Sequence, residues 1–285
     1  MGTAILNGFG RTLGDSVIGL QALCAAQALG AIGAVPVLFR LPGLSPVIQQ
    51  LYGVADFARV DVLPWAEATP ERDFAGAAGF GRVIDMRDFA FDPAFRGVAM
   101  IDYFLGRLGV VPGDVPGGMR RNAWLRGRVG VPDGGGYVLV CPKTASAMRS
   151  MPDAVHEHVM RWLGRWTGCA VLTQAVLPQA GGLAALCALV AGARCIVSAD
   201  TAMVHLADAF DVPCLAFFTT HRPEWRVRDY PRCRAVDLAP AGLPAALEFV
   251  RGPEDVAACE AAWFARGADL GWLDAVLDDF WKDAR

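Results

Sequence analysis

Two patterns of apolar residues meet in the sequence CIVSADTAMVHLADAF, which spans residues 195–210. The first pattern, Cys195–Val197, is a short apolar run typical of a buried strand, and the second repeats at helical spacing. Where the strand turns into the helix stand an acid, a hydroxyl and, one turn later, an imidazole: Asp200, Thr201 and His205.

This junction has two interpretations. Asp200 or Thr201 can accept hydrogen bonds from the first backbone N–H groups of the helix, as helix caps do, and His205 is then an ordinary helix residue. Alternatively the junction binds a ligand, because a helix N-terminus after a parallel strand offers N–H donors and partial positive charge to a phosphate or a sugar. Taken alone, the stretch favours the cap.

Strand and helix patterns alternate along both halves of the chain. The predicted strands are 4–6, 35–39, 57–63, 82–84, 138–141, 170–173, 195–197 and 214–218, and the predicted helices are 17–29, 45–52, 100–108, 152–166, 183–190 and 203–210. A linker rich in glycine and proline, near residues 118–136, separates the two halves. This alternation predicts two Rossmann-like, doubly wound α/β domains that face a cleft.

The predicted domains are 1–130 and 131–260, followed by a C-terminal helix in 261–285. The apolar residues of this last segment recur at helical spacing, so the helix needs a partner surface. We expect it to pack back on the N-terminal domain. Because ligands of such folds bind at the carboxyl ends of the strands, residues 200–205 lie on a functional edge, which weakens the cap-only interpretation.

The composition excludes several classes of protein. The chain has 285 residues, of which 54% are hydrophobic, and its net charge of −3 argues against a general nucleic-acid binder. Its eight cysteines form no C-x-x-C pair and no zinc-binding spacing, which favours structural thiols in the cytoplasm. The uncharged run 16–39 is broken by glycines and Pro36, so it is not the roughly 20-residue apolar helix that spans a membrane. Loose contact with the inner-membrane surface stays open.

The first predicted strand leads into the loop GFGRTLGD, residues 8–15, before the first helix. Its glycines permit a tight turn, but their spacing is not the G-x-G-x-x-G of dinucleotide-binding proteins. Asp15 lies at or next to the start of the helix, where it can act as an N-cap or have a function in chemistry.

Two further loops follow strands of the second half. One carries Lys143, Thr144, Ser146 and Arg149, whose cations and hydroxyls suit a diphosphate but are also usual in a solvated loop. The other, residues 219–226, has polar and aromatic groups that can bind a base or a sugar, or can simply cap the sheet.

Together these stretches resemble the ADP-heptose-type lipopolysaccharide heptosyltransferases of glycosyltransferase family nine, which have the GT-B fold. The resemblance runs from Ala4 to about Pro231 and rests on three motifs: L-G-D at 13–15, a loop with a basic residue three positions before Pro152, and D-T-x-x-x-H-L-A at 200–207.

The resemblance implies that domain 1–130 is on the acceptor side and domain 131–260 on the nucleotide-sugar side, and it implies a role for each matching position. Asp15 would be the base that activates the acceptor hydroxyl, with Arg11 and Gly14 on the acceptor side. The donor side would consist of Thr144 and Arg149 on the diphosphate, and of Asp200, Thr201, Ala202 and His205 on the sugar and phosphate.

The implied function is transfer of a sugar, with heptose as the candidate, from a nucleoside-diphosphate sugar such as ADP-heptose. The acceptor would be a glycan, a lipid-linked molecule or a protein, and neither a metal nor another cofactor is expected. Cations and N–H donors stabilise the departing diphosphate, and a carboxylate removes the acceptor proton. A GT-B-like protein that only binds a nucleotide, a glycan or a partner transferase is the alternative; a sugar-nucleotide epimerase is the third.

Three features leave alternatives open. The family usually has glycine where this chain has Ala202, and the added methyl tightens the approach of the backbone to a phosphate. Segment 174–182 is short and lacks an acid for the donor ribose, with Gln174 and Gln179 as its only long polar side chains. The basic residues near the linker suit an anionic acceptor or a solvated segment equally well; they are Arg120, Arg121, Arg126 and Arg128.

Overall fold

A computed structural model of the chain describes residues 2–33, 35–65, 74–130, 136–173, 181–244 and 247–284. The chain divides into two compact units, Met1–Val129 and Gly130–Arg285, so the predicted boundary lies one residue from the observed one. Each unit is a parallel sheet with helices, which confirms the predicted doubly wound α/β class. Gln174, Gln179 and most of the Gly/Pro run at the end of the predicted linker lie outside the described residues.

The first unit contains a parallel sheet with the strand order β3-β2-β1-β4. Its strands are β1 (Thr3–Leu6), β2 (Val37–Arg40), β3 (Arg59–Val62) and β4 (Arg82–Asp85), and its helices are α1 (Leu13–Ala28), α2 (Pro46–Gly53) and α3 (Met100–Leu108). All of these were predicted. α1 begins four residues before the first predicted helix residue, since Thr12 caps it and Leu13 opens it.

The strand order places a switch point between β1 and β4. The chain steps from β1 to β2 and β3 on one side and then returns to β4 on the other, so the loops after β1 and β4 diverge from neighbouring strand ends. The Asn7 side chain bridges these loops by donating to the carbonyl oxygens of Met86 (3.2 Å) and Arg87 (3.3 Å). Such a crevice is where open α/β sheets bind ligands.

The helix α1 explains the long uncharged run of the sequence. Its residues Val17, Leu20 and Leu23 are fully buried, and most of its other positions are buried too, so charges are excluded from nearly every side. α1 is 16 residues long, and no helix within the described ranges has the length and apolar character needed to span a bilayer.

The second unit contains a parallel sheet with the strand order β6-β5-β7-β8-β9. Its strands are β5 (Tyr137–Cys141), β6 (Val171–Thr173), β7 (Ala193–Ala199), β8 (Cys214–Phe218) and β9 (Cys233–Asp237), and its helices are α4 (Asp153–Trp166), α5 (Leu183–Ala191), α6 (Ala202–Phe210), α7 (Pro253–Ala262) and α8 (Gly271–Ala284). The switch point lies between β5 and β7, where the loop 142–149 meets the junction 199–202.

Two elements of this unit were missed. β9 is only partly buried and has Arg234 as its second residue and Asp237 as its last, so its short sequence lacks a clear apolar run. α7 is rich in alanine and has no strong apolar stripe, although Pro253 and the acids Glu254 and Asp255 mark its first turn.

The C-terminal helix α8 packs on the second unit and not, as we expected, on the N-terminal domain. Its buried residues Leu273, Leu277, Phe280 and Trp281 belong to the same apolar core as α4 and the strands β5 and β7–β9. A hydrogen bond between His158 Nε2 and Asp274 Oδ1 (2.6 Å) and the ion pair Arg234–Asp279 (2.5 Å) also hold it there. The apolar pattern correctly indicated that a partner surface was needed, but α4 and the sheet of its own unit provide it.

Candidate functional site

The junction between β7 and α6 separates the roles of its two polar residues. Thr201 is the helix cap: its Oγ1 accepts a hydrogen bond from the backbone N–H of Met203 (3.1 Å) and lies 3.2 Å from Oγ of Ser198. Asp200 is only 3% exposed, and its Oδ2 has no hydrogen-bond partner among the described residues. The cap therefore does not use the carboxylate.

Two basic side chains surround this carboxylate without bonding to it. Arg149 Nη1 lies 3.7 Å and His221 Nδ1 lies 3.8 Å from Asp200 Oδ2. Both distances exceed the usual limit for a nitrogen–oxygen hydrogen bond. A buried acceptor without a donor is costly, so the geometry fits a ligand that supplies the missing donor.

The loop after β5 brings Arg149 to this point. Arg149 ends a 3₁₀ turn, Ala147–Arg149, and its side chain is 29% exposed. The hydroxyl of Thr144 is engaged within the loop: it accepts from the Ser146 N–H (2.9 Å) and donates to the Ser146 carbonyl (2.6 Å). Lys143 Nζ bonds Asp153 at 2.6 Å. Arg149 therefore lies beside Asp200, whereas Thr144 shapes the loop that carries it.

His205 points its ring at Tyr230 from the buried face of α6. Its Nδ1 lies 3.0 Å from the Tyr230 hydroxyl, and the residue is 5% exposed. Burial lowers the pKa of His205 to about 4. At neutral pH the imidazole is uncharged and can bind a ligand only as a hydrogen-bonding group, not as a cation. Ala202, the residue at the family's glycine position, opens α6 and is half-buried.

A cluster of three charged or polar side chains at this edge, Arg226, His221 and Glu248, was not predicted from the sequence. Glu248 Oε1 accepts a hydrogen bond from Arg226 Nη2 (2.7 Å) and lies 2.9 Å from His221 Nε2. Burial acts to raise the pKa of Glu248, but the His221 hydrogen bond and the charges of His221, Arg226 and Arg149 together lower that pKa to about 2. Thr219 Oγ1 donates to the carbonyl of Met148 (2.6 Å), which ties the loop after β8 to the loop after β5.

The sequence held one signal for Glu248. It is a lone acid flanked by Leu247 and by Phe249-Val250, and a charge within an apolar segment usually has a partner or a ligand. Its partners stand 22 and 27 residues earlier, at Arg226 and His221, so no local spacing identifies them.

In the first unit, Asp15 is the third residue of α1 and not its N-cap. Thr12 is the cap, and its Oγ1 accepts from the Asp15 N–H at 3.2 Å. Asp15 is half-buried, Gly14 is buried beside it, and Arg11 is exposed. Unit 1 alone thus places Asp15 at the carboxyl end of β1, next to the switch point.

The loop that precedes Asp15 passes close to Phe89 at Gly10. Gly10 has a φ of +93°, and a Cβ there would lie 2.9 Å from the ring of Phe89 and 3.3 Å from Asp15 Oδ2. Only glycine fits this contact between the loops after β1 and β4. On the other side, the backbone N–H of Phe9 donates to the buried hydroxyl of Tyr52 at 2.9 Å.

A groove opens along the loop after β4. It has a volume of about 470 Å³ and is lined by Asp85, Asp88, Phe89, Phe91, Asp92, Pro93, Tyr103 and Arg107. Phe89 also contacts the loop of Asp15, so the groove and the candidate base share one edge of unit 1.

Two of the basic residues near the linker bind their own unit. Arg120 pairs with Asp102 at 3.0 Å with its side chain 12% exposed. Arg128 pairs with Asp56 at 2.7 Å and lies over the ring of Phe57, 5.1 Å from its centroid. The structure therefore assigns these two arginines a packing role.

The cysteines are all free thiols, each within the described part of the chain. Burial raises the pKa values of Cys141, Cys187 and Cys195 to about 12. Such thiols are inert at neutral pH and pack as small apolar side chains. Over the described ranges, no group of three or more His, Cys, Asp or Glu residues could hold a metal ion; that the chemistry needs no metal stays a prediction.

The family comparison falls on this second unit. The model described as glycosyltransferase family 9 (heptosyltransferase) matches residues 155–230, which include the whole D-T-x-x-x-H-L-A element and His221. The resemblance to glycosyltransferase family 9 is confirmed. No curated protein sequence matches the chain.

Solved structures match the whole fold. The ADP-heptose lipopolysaccharide heptosyltransferase II of E. coli gives a TM-score of 0.58 at 13% identity, covering 93% of this chain and 99% of that one. The dodecameric iron-containing heptosyltransferase TibC of enterotoxigenic E. coli, in complex with ADP-D-β-D-heptose, gives a TM-score of 0.62 at 12% identity. That match covers 100% of this chain and 77% of TibC. A family 9 glycosyltransferase of Veillonella parvula gives a TM-score of 0.53 at 12% identity, covering 82% of this chain and 85% of that one.

At such low identity these structures show that the fold is shared. The family match adds the motif of the second unit. Together they support a glycosyltransferase that uses a nucleotide-sugar, and they do not favour the alternative of a protein that only binds.

Proposed function

We propose that this protein transfers a sugar from a nucleoside-diphosphate sugar to a hydroxyl group of an acceptor, with ADP-heptose as the first donor to test. The observation that carries the proposal is the buried Oδ2 of Asp200, which has no hydrogen-bond partner among the described residues and lies 3.7 Å from Arg149 Nη1 beside the N-terminus of α6. A cation and a helix N-terminus suit a diphosphate, and a carboxylate oxygen that lacks a hydrogen-bond donor suits a sugar hydroxyl.

On the donor side, Arg149 and the N-terminus of α6 would bind the diphosphate, while Asp200 accepts a hydrogen bond from a sugar hydroxyl. His205 is uncharged at neutral pH because burial lowers its pKa to about 4, so it would hold the donor as a hydrogen-bonding group. The methyl of Ala202 sits where the phosphate approaches, and a binding measurement with Ala202→Gly tests how much room it takes.

On the acceptor side, Asp15 would remove the proton of the acceptor hydroxyl as its oxygen attacks the anomeric carbon. The bond from that carbon to the diphosphate oxygen breaks, and the nucleoside diphosphate leaves with the electron pair. Arg149 stabilises the charge that develops on the leaving group, which is where a preorganised cation contributes most. Arg11 and Gly14 shape the loop on which the acceptor would lie.

The acceptor class remains the one predicted above, a glycan, a lipid-linked molecule or a protein. We also propose a cytoplasmic location with peripheral contact at the inner membrane. The free state of all eight cysteines supports a reducing compartment.

The test is incubation with a panel of nucleotide-sugars that varies the base and the sugar. Donor binding is measured by thermal shift, and turnover by release of the nucleoside diphosphate with and without glycan acceptors. We expect at least one donor to stabilise the wild type and to be turned over, and Asp200→Asn to lose that stabilisation. Binding without turnover under any condition would support the binding-protein alternative, and the absence of any binding would refute a donor site.

A further inference from the structure

A second carboxylate at the edge of the second unit has an uneven set of partners. Both hydrogen bonds that the described residues make to Glu248, from Arg226 and with His221, converge on Oε1. The side chain is 26% exposed. If Glu248 served only to anchor Arg226 and His221, we would expect its two oxygens to share these donors; instead neither bond reaches Oε2, and part of the side chain is exposed.

The charge state of Glu248 restricts what Oε2 can bind. Because its pKa is lowered to about 2, the group is a carboxylate at neutral pH and can only accept hydrogen bonds. Its neighbours Arg226 and His221 keep it in place, since their side chains are 7% and 1% exposed. A ligand atom that meets Oε2 must therefore be a donor.

Glu248 belongs to the same electrostatic site as Asp200. His221 connects them: its Nε2 lies 2.9 Å from Glu248 and its Nδ1 lies 3.8 Å from Asp200 Oδ2. Arg149 lies 3.7 Å from Asp200, and its charge also lowers the pKa of Glu248. A diphosphate held by Arg149 would thus lie near two carboxylates, and carboxylates repel phosphate oxygens.

We infer that Glu248 is a specificity-determining residue that accepts hydrogen bonds from sugar hydroxyls attached next to the diphosphate of the donor. The inference rests on the proposed nucleotide-sugar site. Two parts of such a donor carry these hydroxyls, the ribose of the nucleotide and the transferred sugar, and both would meet a carboxylate with the same chemistry. Asp200 Oδ2 and Glu248 Oε2 together would make a site that selects hydroxyl-rich ligands over a bare diphosphate.

The test is calorimetric titration of wild type and Glu248→Gln with inorganic diphosphate, ADP, 2′,3′-dideoxy-ADP and ADP-heptose. Loss of a hydrogen bond to a charged group weakens binding by about ten-fold or more, so we expect such a loss for the ligand whose hydroxyls Glu248 contacts. Inorganic diphosphate should bind the variant equally well or more tightly, since a repelling charge has been removed. A merely structural role would weaken every ligand alike.

The four ligands separate the two sources of hydroxyls. If the ribose is bound, ADP loses affinity for the variant and 2′,3′-dideoxy-ADP does not. If the transferred sugar is bound, ADP is unaffected and ADP-heptose alone loses affinity. Equal affinities for wild type and variant across the series, or equal losses that include inorganic diphosphate, would overturn the inference.

Two controls protect this test. Glu224→Gln changes an exposed acid that lies 3.9 Å from Arg222 in the neighbouring 3₁₀ turn and should leave all four affinities unchanged. Glu248→Asp keeps the charge, so it should retain most of the preference if Glu248→Gln fails to fold. Wild type that binds these ligands without any transfer would refute the proposed function and leave the Glu248 result standing, whereas no binding by wild type would overturn both.

Discussion

In each unit a strand–helix junction beside the switch point carries an aspartate: β1–α1 in the first unit and β7–α6 in the second. The two junctions place this aspartate differently. In both, a threonine hydroxyl is the N-cap: Thr12 for α1 and Thr201 for α6. Asp200 precedes its helix and is 3% exposed, whereas Asp15 lies inside the first turn and is half-buried. Because a threonine caps each helix, neither aspartate is needed as the N-cap. The two carboxylates then differ in burial, which matches the different roles that we propose for them, donor binding for Asp200 and proton removal for Asp15.

The largest effect should come from the more accessible aspartate. Asp15→Asn keeps the shape of the first turn and removes a base, so transfer should fall by about 10²–10⁴-fold while donor affinity and melting temperature stay near wild type. Initial rates at saturating donor measure this. Asp114→Asn, at an exposed position of the same unit, is the matched control and should transfer at the wild-type rate. A fully active Asp15→Asn would remove Asp15 from the chemistry.

Substitution of the buried aspartate, Asp200, should weaken donor binding, whereas Asp15→Asn should leave it unchanged. Asp200→Asn removes a buried charge that has no hydrogen-bond partner on Oδ2 among the described residues, so the melting temperature should stay level or rise. Donor affinity should fall by about ten- to hundred-fold, the usual effect of losing a charge-assisted contact.

Arg149→Gln should weaken the donor to a similar extent, whereas Lys143→Gln on the same loop should change affinity less than two-fold. Calorimetry with the best donor measures all three variants. A lower melting temperature with unchanged affinity for Asp200→Asn would make that residue structural.

The pH effect expected from histidine titration falls in the second unit, which contains all four histidines. The unfolded chain protonates His205 below its ordinary pKa of 6.5, but the folded protein does so only near 4. Its contribution to the free energy of unfolding is therefore complete above pH 6.5 and is lost as the pH falls towards 4, on the order of 1–3 kcal/mol. Urea unfolding of wild type and His205→Gln at pH 7, 5.5 and 4.5 tests this, because the variant should lack that part of the decline. A His205 ring that titrates near 6.5 by NMR would contradict it.

The smallest effects should be nearly equal in the two units. Thr12→Ala and Thr201→Ala each remove one N-cap and should each lower the free energy of unfolding by about 1 kcal/mol, and the serine variants should recover most of it. Denaturant unfolding measures the loss. If either alanine variant is as stable as wild type, the corresponding aspartate has taken over the cap, and the comparison between the junctions fails.

Much of the fold could be predicted because local patterns carry it. The apolar runs of β1, β5 and β8 and the Pro46 start of α2 are visible in sequence. What failed depended on tertiary contacts: the apolar stripe of 261–285 shows that α8 needs a partner, but not which unit provides it. β9 was missed because Arg234 interrupts its apolar pattern; the strand lies at the edge of the sheet, where it pairs with β8.

The candidate site divides in the same way. Asp15, Arg149 and Asp200 follow strand ends, so the rule for parallel sheets identifies them in advance. The cap assignments were ambiguous, since aspartate and threonine are both favoured at the N-cap. Glu248 could not be derived, because its position depends on how the chain after β9 returns to the loop after β8.

Hydrogen–deuterium exchange of the wild type, with and without the best nucleotide-sugar, tests the donor site most directly. We expect slower exchange on donor binding in residues 142–149, 199–205 and 219–221, three segments at the carboxyl edge of the second sheet. Protection absent from these segments, with a donor that binds measurably, would contradict it.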